Sequence, residues 1–161
     1  MIIGICGLIG SGKDTIADHL VDDHSFVKLS FADKLKDSVA TMFDWNRDLL
    51  DGKTEQSRKW REQMDPFWSM ELKHEVTPRL VLQKFGTECM RDGFYDGIWV
   101  SLVKKKLKDN PQINWVIPDV RFENEANMIQ ELGGEVWWVK RGQLPMSVSY
   151  THLRAHETDR H

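Results

Sequence analysis

Ile2-Ile3-Gly4-Ile5-Cys6-Gly7-Leu8-Ile9-Gly10-Ser11-Gly12-Lys13-Asp14-Thr15-Ile16-Ala17-Asp18-His19-Leu20-Val21 is an apolar run, a glycine-rich turn and an amphipathic pattern in succession. That order predicts a strand over Ile2 to Cys6 and a helix from Lys13 to about Val21. No polar residue interrupts the strand, which suits a parallel strand covered on both faces. Ile16, Ala17, Leu20 and Val21 fall on one side of the helix and form its expected buried stripe. Between the two, Gly7, Gly10 and Gly12 let the main chain take conformations that a Cβ forbids, so that successive N–H groups can turn inward on a phosphate. The helix start adds unsatisfied N–H groups and the positive end of its dipole. Lys13 supplies a point charge with the reach for β- and γ-phosphates.

Gly7, Gly10, Ser11, Gly12, Lys13, Asp14 and Thr15 are therefore the candidate polyphosphate-binding residues. Gly7, Gly12 and Lys13 keep the spacing G-x-x-x-x-G-K-[ST], but Asp14 stands where a Mg²⁺-binding hydroxyl is expected. Either Asp14 takes part, directly or through water, or Thr15 supplies the oxygen. Such a loop points to a nucleotide, with ATP and Mg²⁺ as the expected cofactors. No N-K-x-D base-reading motif for GTP is present, and the chain is short for a motor ATPase.

The 161 residues fit one domain, and 40% hydrophobic residues allow a core. A formal charge of −3 gives no basic footprint, so long nucleic acid is not an expected partner. Cys6 and Cys89 make neither a disulfide framework nor a metal cluster, and Cys6 reads as a small buried hydrophobe in a reducing cytoplasm. No apolar run approaches the roughly 18 to 20 residues of a membrane span, and a first strand at the N-terminus leaves no room for a signal peptide. A homodimer is among the assemblies open to the chain.

Phe26 to Phe31 reads as strand two, and a helix from Ala32 or Asp33 buries Leu35, Val39 and either Met42 or Phe43. From about 44 to 76 the chain is polar and punctuated by Trp45, Trp60 and Trp68, and it reads as a mobile, partly helical insertion over the substrate side. Thr77 caps a helix with Pro78 at its first position, and Gly86-Thr87-Glu88 is a place for it to break. Ile98 to Leu107 is helical, with Lys104-Lys105-Lys106 as a solvated face. Asn114 to Asp119 is a buried strand with a carboxylate at its end. Glu123 to Leu132 is a helix stopped by Gly133-Gly134, and Glu135 to Val139 is a further strand. Strands alternating with helices predict an α/β fold with a parallel sheet flanked by helices and right-handed crossovers.

Gly10-Ser11-Gly12-Lys13-Asp14-Thr15, Ser30-Phe31-Ala32-Asp33-Lys34-Leu35-Lys36, Thr77-Pro78-Arg79, Gln83-Lys84-Phe85-Gly86-Thr87-Glu88 and Pro118-Asp119-Val120-Arg121-Phe122-Glu123-Asn124-Glu125, in that order, resemble the phage-type deoxynucleoside monophosphate kinases. That family carries the same Asp after the loop lysine. The resemblance spans residues 1 to about 142. It implies the P-loop NTPase fold, with residues 1–147 as the kinase domain, and transfer of the ATP γ-phosphoryl group to a deoxynucleoside monophosphate, in the host cytoplasm if the gene is carried by a phage. It implies charge neutralisation rather than covalent chemistry. Arg79, Arg91 and Arg121 are candidates for the acceptor phosphate or the transferring group, with Lys34 and Lys36 in support. Asp119 either holds Mg²⁺ through water or caps its loop. Asp33 either meets the acceptor nucleoside, orients a lysine or caps a helix. Phe31, Trp68 and Trp99 either stack on a base or pack in the core. A kinase of another small phosphorylated metabolite, such as dephospho-coenzyme A, and a nucleotide-binding chain inactive through truncation are the competing readings.

Val148-Ser149-Tyr150-Thr151-His152-Leu153-Arg154-Ala155-His156-Glu157-Thr158 resembles the translation of a transposase-type sequencing adapter. Residues 148–161 are therefore expected to be a non-native tail, and no role is assigned to the histidines there. The resemblance also implies that the family's fold continues beyond this point, including part of an adenine pocket.

Overall fold

The computed structural model describes residues 1–8, 11–140 and 146–147. Gly10 and the adapter-like tail lie outside the described residues. The chain divides into two compact units, residues 1–31 with 100 onward, and residues 32–99.

The first unit is built on a sheet of β1 (Ile2–Gly7), β2 (Val27–Lys28), β3 (Trp115–Ile117), β4 (Glu135–Val139) and β5 (Met146–Ser147), in the order β2-β3-β1-β4-β5. The first four strands run parallel and β5 pairs antiparallel with β4. β1 is central, with Ile3 opposite both Val116 and Glu135. Its side chains alternate between two apolar layers. Ile3 and Ile5 meet Ala17 and Leu20 of α1 (Lys13–His24). Cys6 belongs to the other layer, with Val103 and Leu107 of α7 (Ile98–Asp109) and Ala126, Met128 and Ile129 of α8 (Glu123–Glu131). At Gly4 a Cβ would lie 2.6 Å from Ile129 Cδ1 and 2.9 Å from Val120 Cγ2. Glycine there is what lets the α8 layer settle onto β1.

The parallel α/β sheet flanked by helices is thus as expected, and so are β1, β4 and the exposed Lys104-Lys105-Lys106 face; of the strand expected over Asn114 to Asp119, Trp115–Ile117 forms β3. Strand two is a correction: only Val27 and Lys28 pair as strand, although Phe26, Leu29 and Phe31 are buried. β2 has one neighbour, β3, and Val27 is 45% exposed. Just past the paired residues, Leu29 N still donates to Val116 O. α1 is three residues longer than its expected end at Val21 and stops at Ser25, whose positive φ of 59° lets its N–H reach Leu20 O.

The second unit holds α2 (Asp33–Phe43), α3 (Arg47–Leu50), α4 (Glu55–Arg61), α5 (Pro66–Leu72), α6 (Pro78–Gln83) and a π-helical segment, Lys84–Asp92. Its core is Val39, Leu50 and Leu82, ringed by Leu35, Phe43, Trp45, Trp60, Val81 and Phe85. Phe43, not Met42, takes the inner place on α2, since Met42 is 62% exposed. Phe43 stacks on Trp45 at 4.8 Å, and Trp45 meets Trp60 edge-on at 5.6 Å. Thr77 Oγ1 accepts from Leu80 N at 3.1 Å, the expected cap of α6. Around Gly86 the chain stays helical but widens into π geometry, a rare form found mostly as an interruption of an α-helix. A Cβ at Gly86 would lie 2.9 Å from Leu35 Cδ2, and the Gly86 carbonyl accepts from Trp99 Nε1 at 3.0 Å.

Candidate functional site

β1 ends in Gly7, which is buried. A Cβ there would meet Ser11 Oγ and the Val139 carbonyl, each at 2.7 Å. The turn folds back on itself through Ser11 N to Leu8 O at 3.0 Å. Gly12 closes it as the residue before α1, at φ 93° and ψ 13°. Among the described residues nothing lies within 4 Å of a Cβ built at Gly12, and its left-handed main chain is what asks for glycine. Lys13 is then the first residue of α1 and is half-buried, while Asp14 and Thr15 are exposed in the same turn. The loop lies at the carboxyl end of a central parallel strand, where open α/β sheets bind their ligands.

Asp119 follows β3 at that same end of the sheet. Ser30, just after β2, donates its Oγ–H to Asp119 Oδ2 at 2.6 Å, and Val120 N donates to Ile5 O at 3.2 Å. The carboxylate is thereby oriented by one neighbouring strand, and its loop is tied to another. Ser30 lies inside a stretch singled out in the sequence but receives no role from spacing alone. The signal available was a hydroxyl at the end of a parallel strand, which becomes specific only once the strand order is known.

Arg121 is exposed, and what meets Glu125 is its main-chain N–H. Glu125 Oε1 accepts from Arg121 N at 2.8 Å and Phe122 N at 3.0 Å, pinning the segment between Asp119 and α8. Glu125 is only 6% exposed. Burial pushes its carboxyl up to about 7, against the two N–H donors and the Arg121 charge, with the Asp119 charge adding to the rise. The folded state thus binds this proton more tightly than the unfolded chain. The stability that the group contributes is complete below the ordinary glutamate value of 4.5 and is lost as pH rises through about 7. Glu125→Gln keeps an acceptor and removes the charge. It should raise stability at pH 8 by about 1–3 kcal/mol, with the gap closing toward pH 4. Urea unfolding of both proteins at the two pH values checks this, and an equal gap at both would contradict it.

The remaining candidates, apart from Phe31, lie in the second unit. Asp33 is the first residue of α2 but does not cap it; its carboxylate is 3.5 Å from Arg47. Lys36 lies 3.8 Å from Asp51, in a cluster with Arg47. Burial pulls the Lys36 ammonium below the usual lysine range; Asp51 and Asp33 oppose the shift, and Arg47 and Arg61 add to it. Lys34 is exposed. Arg79 is exposed and pairs with Glu62 at 2.5 Å, a solvent-facing bridge of little energetic consequence. Arg91 is exposed in the last turn of the π-helical segment. Phe31 and Trp99 are core residues, and Trp68 packs edge-on against Phe43 and Phe67. Arg47 and Arg61 were not singled out in the sequence, since nothing in their local pattern marks them.

Among the described residues no group of three or more His, Cys, Asp or Glu side chains converges as a metal site, and no helix is long and apolar enough to cross a membrane. No protein-family profile matches the chain. A protein of Acanthamoeba polyphaga mimivirus, provisionally named a deoxynucleotide monophosphate kinase, is 37% identical over 145 residues, which cover 83% of this chain and 70% of that protein. The deoxynucleoside-5′-monophosphate kinase of Escherichia phage T5 is 39% identical over 57 residues, or 35% of this chain and 22% of the phage protein.

Proposed function

The chain belongs to the deoxynucleotide monophosphate kinase family, and from that premise we propose that it moves the γ-phosphoryl group of ATP onto the 5′-phosphate of a deoxynucleoside monophosphate, giving ADP and a diphosphate. The observation that carries the site reading is Gly12-Lys13 opening a helix at the carboxyl end of the central parallel strand. Likeness to the mimivirus protein across most of the chain carries the substrate class.

Phosphoryl transfer needs two anions held in line and their charge neutralised, with little covalent work for the protein. The first N–H groups of α1, with Gly7, Gly10, Ser11 and Gly12 shaping the turn, would receive the donor's phosphates. Lys13 Nζ would reach the β- and γ-oxygens. Asp119, steadied by Ser30, offers the hard oxygen ligand that suits Mg²⁺ beside polyphosphate, with Asp14 or Thr15 as the candidate on the helix side. Asp119, with Asp14 or Thr15, would hold Mg²⁺, whose chemistry there would be to add positive charge to the donor's polyphosphate. Arg121, two residues after Asp119 and with its main-chain N–H held by Glu125, would steady the transferring group. Arg79, Arg91, Lys34 and Lys36 are the candidates for the acceptor phosphate, and Asp33 orients Lys36 or meets the nucleoside. The phage relative supports the host cytoplasm as the place of reaction.

The test is ADP release by the chain supplied with ATP, Mg²⁺ and each of the four deoxynucleoside monophosphates, with dephospho-coenzyme A as the contrasting acceptor. Release that depends on a deoxynucleotide is expected. Turnover of dephospho-coenzyme A and of none of the four would overturn the reading.

A further inference from the structure

We propose that Arg61 and Lys36 form the seat of the acceptor's 5′-phosphate, with Arg47 and Gly52 as the residues that hold them in position. The identity of the anion rests on the kinase reading above; the cationic seat itself rests on the second unit alone.

Arg47 gathers the nearby carboxylates. Its Nε lies 2.7 Å from Asp37, its Nη1 2.5 Å from Asp51 and its Nη2 3.5 Å from Asp33. Three carboxylates thus face this one guanidinium. Lys36 is left 3.8 Å from Asp51 Oδ1, the same oxygen that Arg47 holds, and makes a long 3.4 Å hydrogen bond to the Asp51 carbonyl. The Lys36 side chain is only 19% exposed. Arg61, in the last turn of α4, has no carboxylate partner among the described residues. Its guanidinium reaches the Leu50 carbonyl from Nη1 at 3.5 Å, and its Nε is buried with no hydrogen-bond partner among the described residues.

That guanidinium is nonetheless held in place. Gly52, at φ 71°, brings its main chain so close that a Cβ would lie 2.5 Å from Arg61 Cζ. A planar cation laid on the main chain, with no carboxylate on it and its Nε–H unfilled among the described residues, is preorganised for a ligand rather than paired. The charge balance agrees. The Lys36 ammonium is disfavoured by burial, and the Arg47 and Arg61 charges add to that against Asp51 and Asp33. A site where positive charge is destabilised gains when an anion arrives. A fork and a point charge together match a phosphate monoester. Arg79 and Arg91, being exposed, give a phosphate no comparable shelter from water.

The experiment is calorimetric binding of each deoxynucleoside monophosphate, and separately of inorganic phosphate, to the full chain and its variants, alongside transfer kinetics. Arg61→Gln and Lys36→Gln should each weaken acceptor binding and raise the acceptor KM by roughly 10- to 100-fold, leaving the KM for ATP unchanged. Gly52→Ala keeps both cations but lifts the guanidinium from its bed, and should give a smaller loss in the same direction. Thermal unfolding checks each fold; where Arg61→Gln does not fold, Lys36→Gln and Gly52→Ala decide. Normal transfer with an unchanged acceptor KM in those variants overturns the seat and spares the kinase reading. A chain that binds inorganic phosphate in an Arg61-dependent way but transfers to no deoxynucleotide overturns the kinase reading and keeps an anion seat.

Discussion

Lys13→Met should lower kcat for phosphoryl transfer roughly a thousandfold or more, with the fold intact. Methionine matches lysine in length and nearly in helix propensity, so α1 should start where it does now. What disappears is a single positive charge at the head of the helix, half-buried at the end of β1. In a reaction whose protein contribution is positioning and charge neutralisation, such a charge acts on the transition state directly. The main-chain amides remain, so ATP binding should weaken less than kcat falls. The measurement is steady-state kinetics with ATP varied at saturating acceptor, paired with equilibrium binding of ATP. Unchanged turnover would mean that the donor's phosphates lie elsewhere, and the proposed role of the glycine turn would go with it.

The part of the molecule around Lys13 was legible because its signals are local. An unbroken apolar run, glycines at fixed offsets and a helical stripe each follow from backbone sterics and burial. Cys6, Ala17, Leu20, Val116 and Val136 lie buried in the core of those elements. The second unit was harder for a physical reason. Its middle, between 47 and 72, rides on helices of four to seven residues, too short for a period to show, and the tryptophans there stand singly. Trp45 and Trp60 read as punctuation in a polar stretch, yet they pack with Phe43 into one aromatic cluster. The caps that start those helices, Asn46, Thr54 and Asp65, were present in the sequence, but each marks a start without saying how far the helix runs.

The candidate site divides in the same way. Asp119 was readable as a carboxylate ending a buried strand. Its partner Ser30 is 89 positions away and becomes a neighbour only through the order β2-β3-β1. Arg47 and Asp51 stand four apart, as a helix pair does, but Asp33 and Asp37 reach Arg47 from α2, and no period connects Arg61 to Gly52. A residue whose role depends on where another element lands is invisible until the topology is fixed.

Asp119→Asn separates charge from geometry at the position where both are proposed to matter. Asparagine keeps an oxygen that can accept from Ser30 Oγ, now donating to Asp119 Oδ2 at 2.6 Å, so the loop after β3 should hold its course. Only the negative charge is lost. If that charge holds Mg²⁺ through water beside the polyphosphate, kcat should fall roughly 100- to 1,000-fold, and the Mg²⁺ concentration for half-maximal rate should rise. Ser30→Ala is the complementary change: the charge stays and its orienting donor goes, for which a loss of roughly tenfold is expected from one hydrogen bond to a charged group. The two losses should not add in the double variant, because Ser30 acts through Asp119. Were Asp119→Asn no worse than Ser30→Ala, with the Mg²⁺ dependence unmoved, the carboxylate would be a loop-capping residue. The positive charge on the donor's phosphates would then have to be arranged by Asp14 or Thr15 at the start of α1.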